Sequence, residues 1–437
     1  MKLANYTVRT FLVSNQSLAR KSDIRQVLHF QYTSWPKNSN PANPLPFLTF
    51  IRASSSHSEL RGSPVVVHTS PGKNRAGIFI AIAVMLKQMK TTGELNLPSF
   101  LSHSRQRDQN LVKSLKDFIF LHDTLAEAAA AGETNIKNSY LTRYINSLQS
   151  SFMTGGESKQ LLERQLTLVN TTFNQREKSM REQDQSSPAW RVNGVTWIPG
   201  FFSRQTFLLS QHPEERSVQQ FWRLVLENGI HTIVAVKTDP RVEFPDLWSV
   251  MAVNAGPIFV THRDDEISFK FKSKNFILEF GNNMRKFVKV IFCDNFLAET
   301  DCGSPAGETL SLLETVHGRL GSLPKSPVMV LDSGGGEAGA AFCALLTLLE
   351  QNVHEQHCDV YQTVKTVNMS MQGVWSSPAK LLQVYKVLEE MVTKENLAKE
   401  KHLQQLHNLT KKSQFRMSVR QWRTGKKILN LTEERKF

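Results

Sequence analysis

Apolar positions along the chain fall into short β-branched runs and longer stretches of helical period. The runs at 65–67 and 328–330 predict strands. Each enters a loop of glycine and small polar residues, and each loop leaves into an apolar pattern of helical period, at 77–89 and 340–350. Further helical patterns follow at 115–130 and 380–392, and another lies between the two sets at 140–152. Residues 174–187 are polar and rich in Gln and Ser, which predicts a solvated loop. Beyond residue 394 the periodicity is weak and aromatics are few, so a mobile helix or disorder is expected there.

The two strand–loop–helix patterns are copies of one another. Residues 63–86 (SPVVVHTSPGKNRAGIFIAIAVML) align without a gap with residues 326–349 (SPVMVLDSGGGEAGAAFCALLTLL), and 9 of 24 positions are identical at an offset of 263. An offset of that size indicates duplication of a whole domain, not a solenoid repeat. The second loop has nearly 200 residues before it in which to build its domain, and the first has 68. The first copy therefore reads as the C-terminal half of a domain. The expected division is 1–132 for that half domain, 133–187 for a linker and the first helices of the second domain, 188–393 for the second domain, and 394–437 for a tail.

Composition adds bounds. With 437 residues, 40% hydrophobic and 21% charged, the chain fits two or three globular domains and neither wholesale disorder nor a fibre. The apolar run at 76–86 is too short to span a bilayer, and the N-terminal segment has no signal-peptide core. Four cysteines (Cys293, Cys302, Cys343, Cys358), none in a C-x-x-C pair, speak against a disulfide framework and a structural zinc site. A reducing, cytoplasmic setting is expected, on the inner side of the plasma membrane if the chain belongs to a longer receptor. The net charge is +14, but 394–437 carries +8 of it. The body is only mildly basic, so nucleic-acid binding is not expected, and the tail is a candidate for contact with an anionic membrane.

The chemistry should reside in the first loop, His68-Thr69-Ser70-Pro71-Gly72-Lys73-Asn74-Arg75-Ala76-Gly77. A strand, a tight loop and a helix N-terminus aim backbone N–H groups at one point and cradle an anion, and Arg75 could fork over it. This loop resembles the His-Cys-x5-Arg-[Ser/Thr]-Gly signature of the cysteine-based protein tyrosine phosphatases, and Tyr32-Thr33-Ser34-Trp35-Pro36 resembles the opening of that family's WPD loop. The tandem arrangement is similar to receptor-type members. The segments FLHDTLAEAAAAGETNI, LLERQLTLVN, FLLSQHPEERSVQQFWRL and CDVYQTVKTVNMSMQGVW resemble the gamma/zeta subgroup, which typically carries Asp at the second domain's cysteine position, where Asp332 stands. The resemblance implies an α/β fold, tandem tyrosine-phosphatase domains each with a twisted mixed sheet flanked by helices, the first truncated at its N-terminus.

It also implies a four-part mechanism: a thiolate nucleophile, an Arg phosphoryl clamp, an Asp general acid and a water-positioning Gln. Here Thr69 stands at the nucleophile position, Lys37 at the acid and Lys113 at the Gln. The acid alone is typically worth ~10²–10⁴ in rate. What remains is an anion-binding candidate made of Ser70, Gly72, Arg75 and Gly77, unless Arg75 is a structural residue held by loop carbonyls. In the second loop Asp332 replaces the cysteine and Ala338 the Arg, and the WPD stretch reads Phe296-Leu297-Ala298-Glu299-Thr300-Asp301. Asp332 is expected to cap the loop's own N–H groups and to repel phosphate. His68 reads as a buried, hydrogen-bonded residue, and Phe221, Trp222 and Trp375 as core.

The expected function is that of a receptor-tyrosine-phosphatase-like protein without catalysis, a regulatory or interaction module in phosphotyrosine signalling. Its partners would be phosphotyrosine proteins or another phosphatase domain, and no metal or cofactor is implied. The rivals are an active phosphatase and a nonfunctional truncated paralogue. The family's N-terminal half-domain lies upstream of where this first copy begins, so uncovered sheet edges are expected. Either Met1 is internal to a longer receptor or the first half leans on the second.

Overall fold

A computed structural model describes residues 1–14, 24–56, 64–70, 74–154, 157–171, 195–214, 217–237, 252–254, 258–267, 271–281, 284–297, 306–322, 326–333 and 336–401. Residues Met1–Val387 form one compact unit and Leu388–Phe437 another. The expected loop at 174–187 and most of the basic tail lie outside the described residues. In the second unit the described residues, 388–401, are helical, with a Lys399–Glu395 ion pair of 2.6 Å.

Within the first unit the C-terminal copy is built on an eight-stranded mixed sheet, in the order β4 (Thr196–Ile198), β5 (Phe207–Gln211), β11 (Val328–Asp332), β6 (Thr232–Val236), β10 (Met284–Cys293), β9 (Lys272–Phe280), β8 (Ile258–Ile267) and β7 (Ala252–Asn254). β5, β11, β6 and β10 run parallel, and the outer pairs are antiparallel. Every residue of β6 and β11 is buried, as in a parallel sheet covered on both faces. On one face helix α7 (Val218–Glu227) packs Phe221, Trp222 and Val225 onto Leu208, Ile233, Phe276 and Val290. On the other, helix α9 (Glu337–Glu355) lies so close to β5 that a Cβ on Gly339 would sit 2.4 Å from Leu209 Cδ1. The sequence-predicted core residues Phe221, Trp222 and Trp375 are all buried.

The N-terminal copy is a hairpin, β1 (Tyr6–Val13) with β2 (Arg25–Tyr32), and four helices: α1 (Leu45–Ser56), α2 (Asn74–Thr92), α3 (Leu97–Arg107) and α4 (Leu115–Ala131). Its core is aromatic, with Phe47, Phe50 and Phe120 packed around Ile78, Ile82 and Leu121. The duplication is kept to the residue. Helix α2 and α9 have 19 residues each and start 263 apart, and so do α3 and α10 (Val360–Ser370), with 11 each. Each second helix is N-capped by its own Asx side chain, Asn96 in one copy and Asp359 in the other. One expectation fails. Residues 64–69 form no strand, and Val65 and Val66 are 60% and 85% exposed. Their counterparts in β11 are held by β5 and β6, and among the described residues no strand flanks 64–69 in that way.

The first half instead gains order from the second. Glu127 of α4 meets Lys365 of α10 at 2.8 Å and also accepts from the Tyr361 hydroxyl at 2.5 Å, all three being buried. Burial pushes the Lys365 ammonium's pKa down, and the carboxylate pulls it back up. Arg52 and Thr134 both donate to Asp359 at 3.0 Å, and the Tyr6 hydroxyl donates to Glu355 at 3.0 Å. A two-residue ladder ties Ile136 to Cys358 through strands β3 (Ile136–Lys137) and β12 (His357–Cys358). A strap at Phe201 and Phe202 packs on the first half's core, and its Phe201 carbonyl accepts from Ala4 N at 3.0 Å.

Two measurements check this seam. Lys365→Met strands a buried carboxylate and is expected to cost about 3–5 kcal/mol in urea unfolding, while adding Glu127→Leu restores most of the loss. A single-variant cost below about 1 kcal/mol would show that the pair is not the joint. Glu350 of α9 is also buried; the Phe201 N–H donates to it, but its Oε2 has no partner among the described residues, and burial raises its carboxyl to about 7 from 4.5. Folding favours the protonated acid, so this contribution is full below pH 4.5 and is lost as pH rises through about 7. The fall is worth roughly 3 kcal/mol, and Glu350→Gln is expected to flatten it in denaturation curves taken at pH 5 and pH 8.

Candidate functional site

In the first copy the loop begins at the end of segment 64–69, which pairs with no strand among the described residues, and opens into α2. Thr69 is half-buried, Ser70 exposed and Gly77 buried against Leu111; Gly72 lies outside the described residues. Arg75 does not face the loop alone. Its Nη2 donates to the carbonyls of Pro36 at 2.9 Å and Lys37 at 3.1 Å, and its guanidinium lies 5.6 Å from the Trp35 ring centroid. Trp35 is set by an edge-on contact with Phe47 at 5.0 Å and by donating to Ser39 O at 3.1 Å. The Arg thus binds the turn that carries Lys37. Lys37 and Lys113 are themselves exposed. His68, expected to be buried, is exposed and stacks on His29 with ring centroids 5.6 Å apart, because the strand that would enclose it is not formed.

Beside this loop sits a carboxylate that sequence reasoning missed. Asp117 is 7% exposed and accepts from Asn40 Nδ2 at 3.0 Å, Asn74 Nδ2 at 3.2 Å and Ser114 N at 3.2 Å. It closes a capping box on α4 and fixes the first residue of α2.

In the second copy β11 delivers Asp332 into the base of the loop, 4% exposed, where its Oδ2 accepts from Gly339 N at 2.7 Å. The carboxylate therefore caps the first turn of α9 from outside the helix. Ala338, at the position of Arg75, is buried and offers no donor from its side chain. Glu337 is held by Lys380 and lies 3.5 Å from Ser376 Oγ. Of the stretch 296–301, Phe296 is fully buried, with its ring centroid 6.1 Å from that of Phe342, and Leu297 adopts φ 57°; the remaining four residues lie outside the described residues.

Asn74 and Glu337 are related by the offset of 263, and so are Asp117 and Lys380. The same tether joins the same two helices in both copies, once as amide to carboxylate and once as an ion pair of opposite arrangement. Carrying the offset beyond residue 86 was the signal that would have found it. The described cysteines, Cys293, Cys343 and Cys358, are all buried, and none stands at the base of either loop. Burial pushes the Cys293 thiol up to about 12 and the Cys343 thiol well above its ordinary value, the reverse of what a thiolate nucleophile needs. Among the described residues there is no group of three His, Cys, Asp or Glu able to hold a metal, and no helix long and apolar enough to cross a membrane.

The comparisons agree with this duplicated architecture. The family model for protein-tyrosine phosphatase matches residues 1–127 and 167–390. The chain is 27% identical over 416 residues to the receptor-type tyrosine-protein phosphatase mosPTP-1 of Culex quinquefasciatus, covering 89% of this chain and 27% of that protein. It is 26% identical to tyrosine-protein phosphatase 99A of Drosophila melanogaster, covering 91% of this chain and 32% of the relative. With human receptor-type tyrosine-protein phosphatase zeta the identity is also 26%, with 90% and 18% covered. The chain thus spans about a third or less of the length of these relatives. Two matched regions, each containing the same loop-and-helix unit, place the chain in the protein-tyrosine phosphatase family, with its likeness to receptor-type members.

Proposed function

We propose that this chain is a catalytically silent member of that family, a regulatory or interaction module in phosphotyrosine signalling. The observation that carries the reading is the base of each loop, where Thr69 and Asp332 stand in place of a thiol. A threonine hydroxyl stays protonated at neutral pH, and Asp332 already spends an oxygen on the Gly339 amide. The surroundings support it. Lys37 puts an ammonium where the leaving phenolate would need a carboxylic acid. Asp117 places a carboxylate beside the first loop, and an incoming phosphate would have to draw Arg75 away from the Pro36 and Lys37 carbonyls. Residual anion binding at Ser70, Gly72, Arg75 and Gly77 would be weak for the same reason. The family's chemistry makes phosphotyrosine proteins, or another phosphatase domain, the class of partner.

Turnover of para-nitrophenyl phosphate by the purified chain is expected to match the no-enzyme blank, with nothing for vanadate to inhibit. Vanadate-sensitive hydrolysis would overturn the proposal. Restoring the nucleophile alone, Thr69→Cys, is expected to leave the rate within about ten-fold of that blank, because the acid and water-positioning roles at Lys37 and Lys113 stay vacant, and the missing acid is typically worth ~10²–10⁴. A burst of product from that single variant would place the acid elsewhere.

A further inference from the structure

The chain has six tyrosines, and all of them lie among the described residues. Five are enclosed. Tyr6, Tyr361 and Tyr385 are buried, and their hydroxyls donate to Glu355, Glu127 and Gln165. Tyr144 is half-buried on helix α5 (Asn138–Thr154), where its hydroxyl accepts from Gln165 Nε2 at 2.9 Å. Tyr32 is half-buried in the aromatic core of the first copy, with ring centroids 5.1 Å from Phe47 and 5.3 Å from Phe50. Burial raises the phenol pKa of each of these five.

Tyr140 differs from all of them. It is 60% exposed in the first turn of α5, and among the described residues nothing hydrogen-bonds its hydroxyl or stacks on its ring. Leu141, Ile145 and Leu148 turn inward and hold the helix, which leaves residues 140 and 143 on its outer face. The turn itself is fixed from the second copy, since Asn138 N donates to Gln356 O at 3.2 Å and Asn138 Nδ2 to Asn352 Oδ1 at 2.6 Å. The surroundings suit a dianion. Arg143, exposed and three residues on, neighbours Tyr140 on the helix surface, and exposed Lys137 precedes the helix. Neither cation is paired with a carboxylate among the described residues.

We infer that Tyr140 is a phosphorylation site, the one tyrosine of the folded chain open to a tyrosine kinase, with Arg143 placed to pair with the phosphate. The co-reactant is ATP. A bond forms between Tyr140 Oη and the γ-phosphorus, and the bond from that phosphorus to the bridging oxygen breaks, its electron pair leaving on ADP. The hydroxyl proton passes to the kinase's base. The chain thereby carries phosphotyrosine itself, a role separate from either loop.

The test treats the full 437-residue chain with a broad-specificity tyrosine kinase catalytic domain and ATP. Vanadate is present, so that no turnover at either loop can strip the product. Synthetic peptides centred on each of the six tyrosines are treated in parallel. Mass mapping is expected to find phosphate on Tyr140 alone in the folded chain, while peptides around enclosed tyrosines are also modified. Tyr140→Phe is expected to reduce incorporation to the kinase-free level with circular dichroism unchanged. In ³¹P spectra the phosphate's second ionisation is expected at lower pH in the chain than in the Tyr140 phosphopeptide, and Arg143→Ala is expected to raise it. Phosphate on any enclosed tyrosine of the folded chain would overturn the assignment, as would incorporation that survives Tyr140→Phe. So would a folded chain, or a Tyr140 peptide, that takes up none. An ionisation unmoved by Arg143→Ala would remove Arg143 from the site.

Discussion

A carboxylate and an ammonium buried together, Glu127 on α4 and Lys365 on α10, fix how the N-terminal copy sits against the C-terminal one. Neither charge has water to fall back on, so each needs the other in place. The remaining contacts gather around that demand: Arg52 and Thr134 on Asp359, Tyr6 on Glu355, Ala4 on the Phe201 carbonyl. A body made of a hairpin and four helices, with no parallel sheet among its described residues, takes its orientation from a neighbour that has a complete one. The second copy's helix cap illustrates the division of labour. Asn96 serves its own helix, whereas Asp359 at the equivalent position caps α10 and also receives the first half's cation.

The two loops have drifted in different directions from one geometry. In the second, the carboxylate of Asp332 turns inward and caps the first turn of the helix it precedes. In the first, Arg75 donates to the Pro36 and Lys37 carbonyls and lies over the Trp35 ring, so it braces the turn that carries Lys37. Both arrangements satisfy loop donors with acceptors from the chain itself. Backbone N–H groups and a guanidinium seek acceptors, and each loop found them within the chain.

Much of this was legible in the sequence. The duplication, the buried strand–loop–helix unit of the second copy, the helices at 115–130 and 140–152 and the correspondence of Thr69 with Asp332 all follow from pattern and offset. The strand at 65–67 did not form, because β-branched residues favour a strand only where a sheet offers neighbours. His68 was misplaced for the same reason. The direction of Arg75 could not be read either, since a guanidinium near a loop can serve an anion or a carbonyl, and only the position of Pro36 and Lys37 decides. The seam was invisible because Glu127, Lys365 and Asp359 sit in patterns that read as ordinary helix faces.

The paired tethers at the loop mouths bear on assembly. Asn74 with Asp117 and Glu337 with Lys380 join the same two helices in the two copies, but with incompatible chemistry. Were the terminal helices to trade places while the chain collapses, Asp117 would meet Glu337, and Lys380 would meet an amide with no charge to answer it. A tandem duplicate of matched helix lengths is open to such exchange, since its parts fit one another in shape. Here the charges give each helix an address, and shape alone does not.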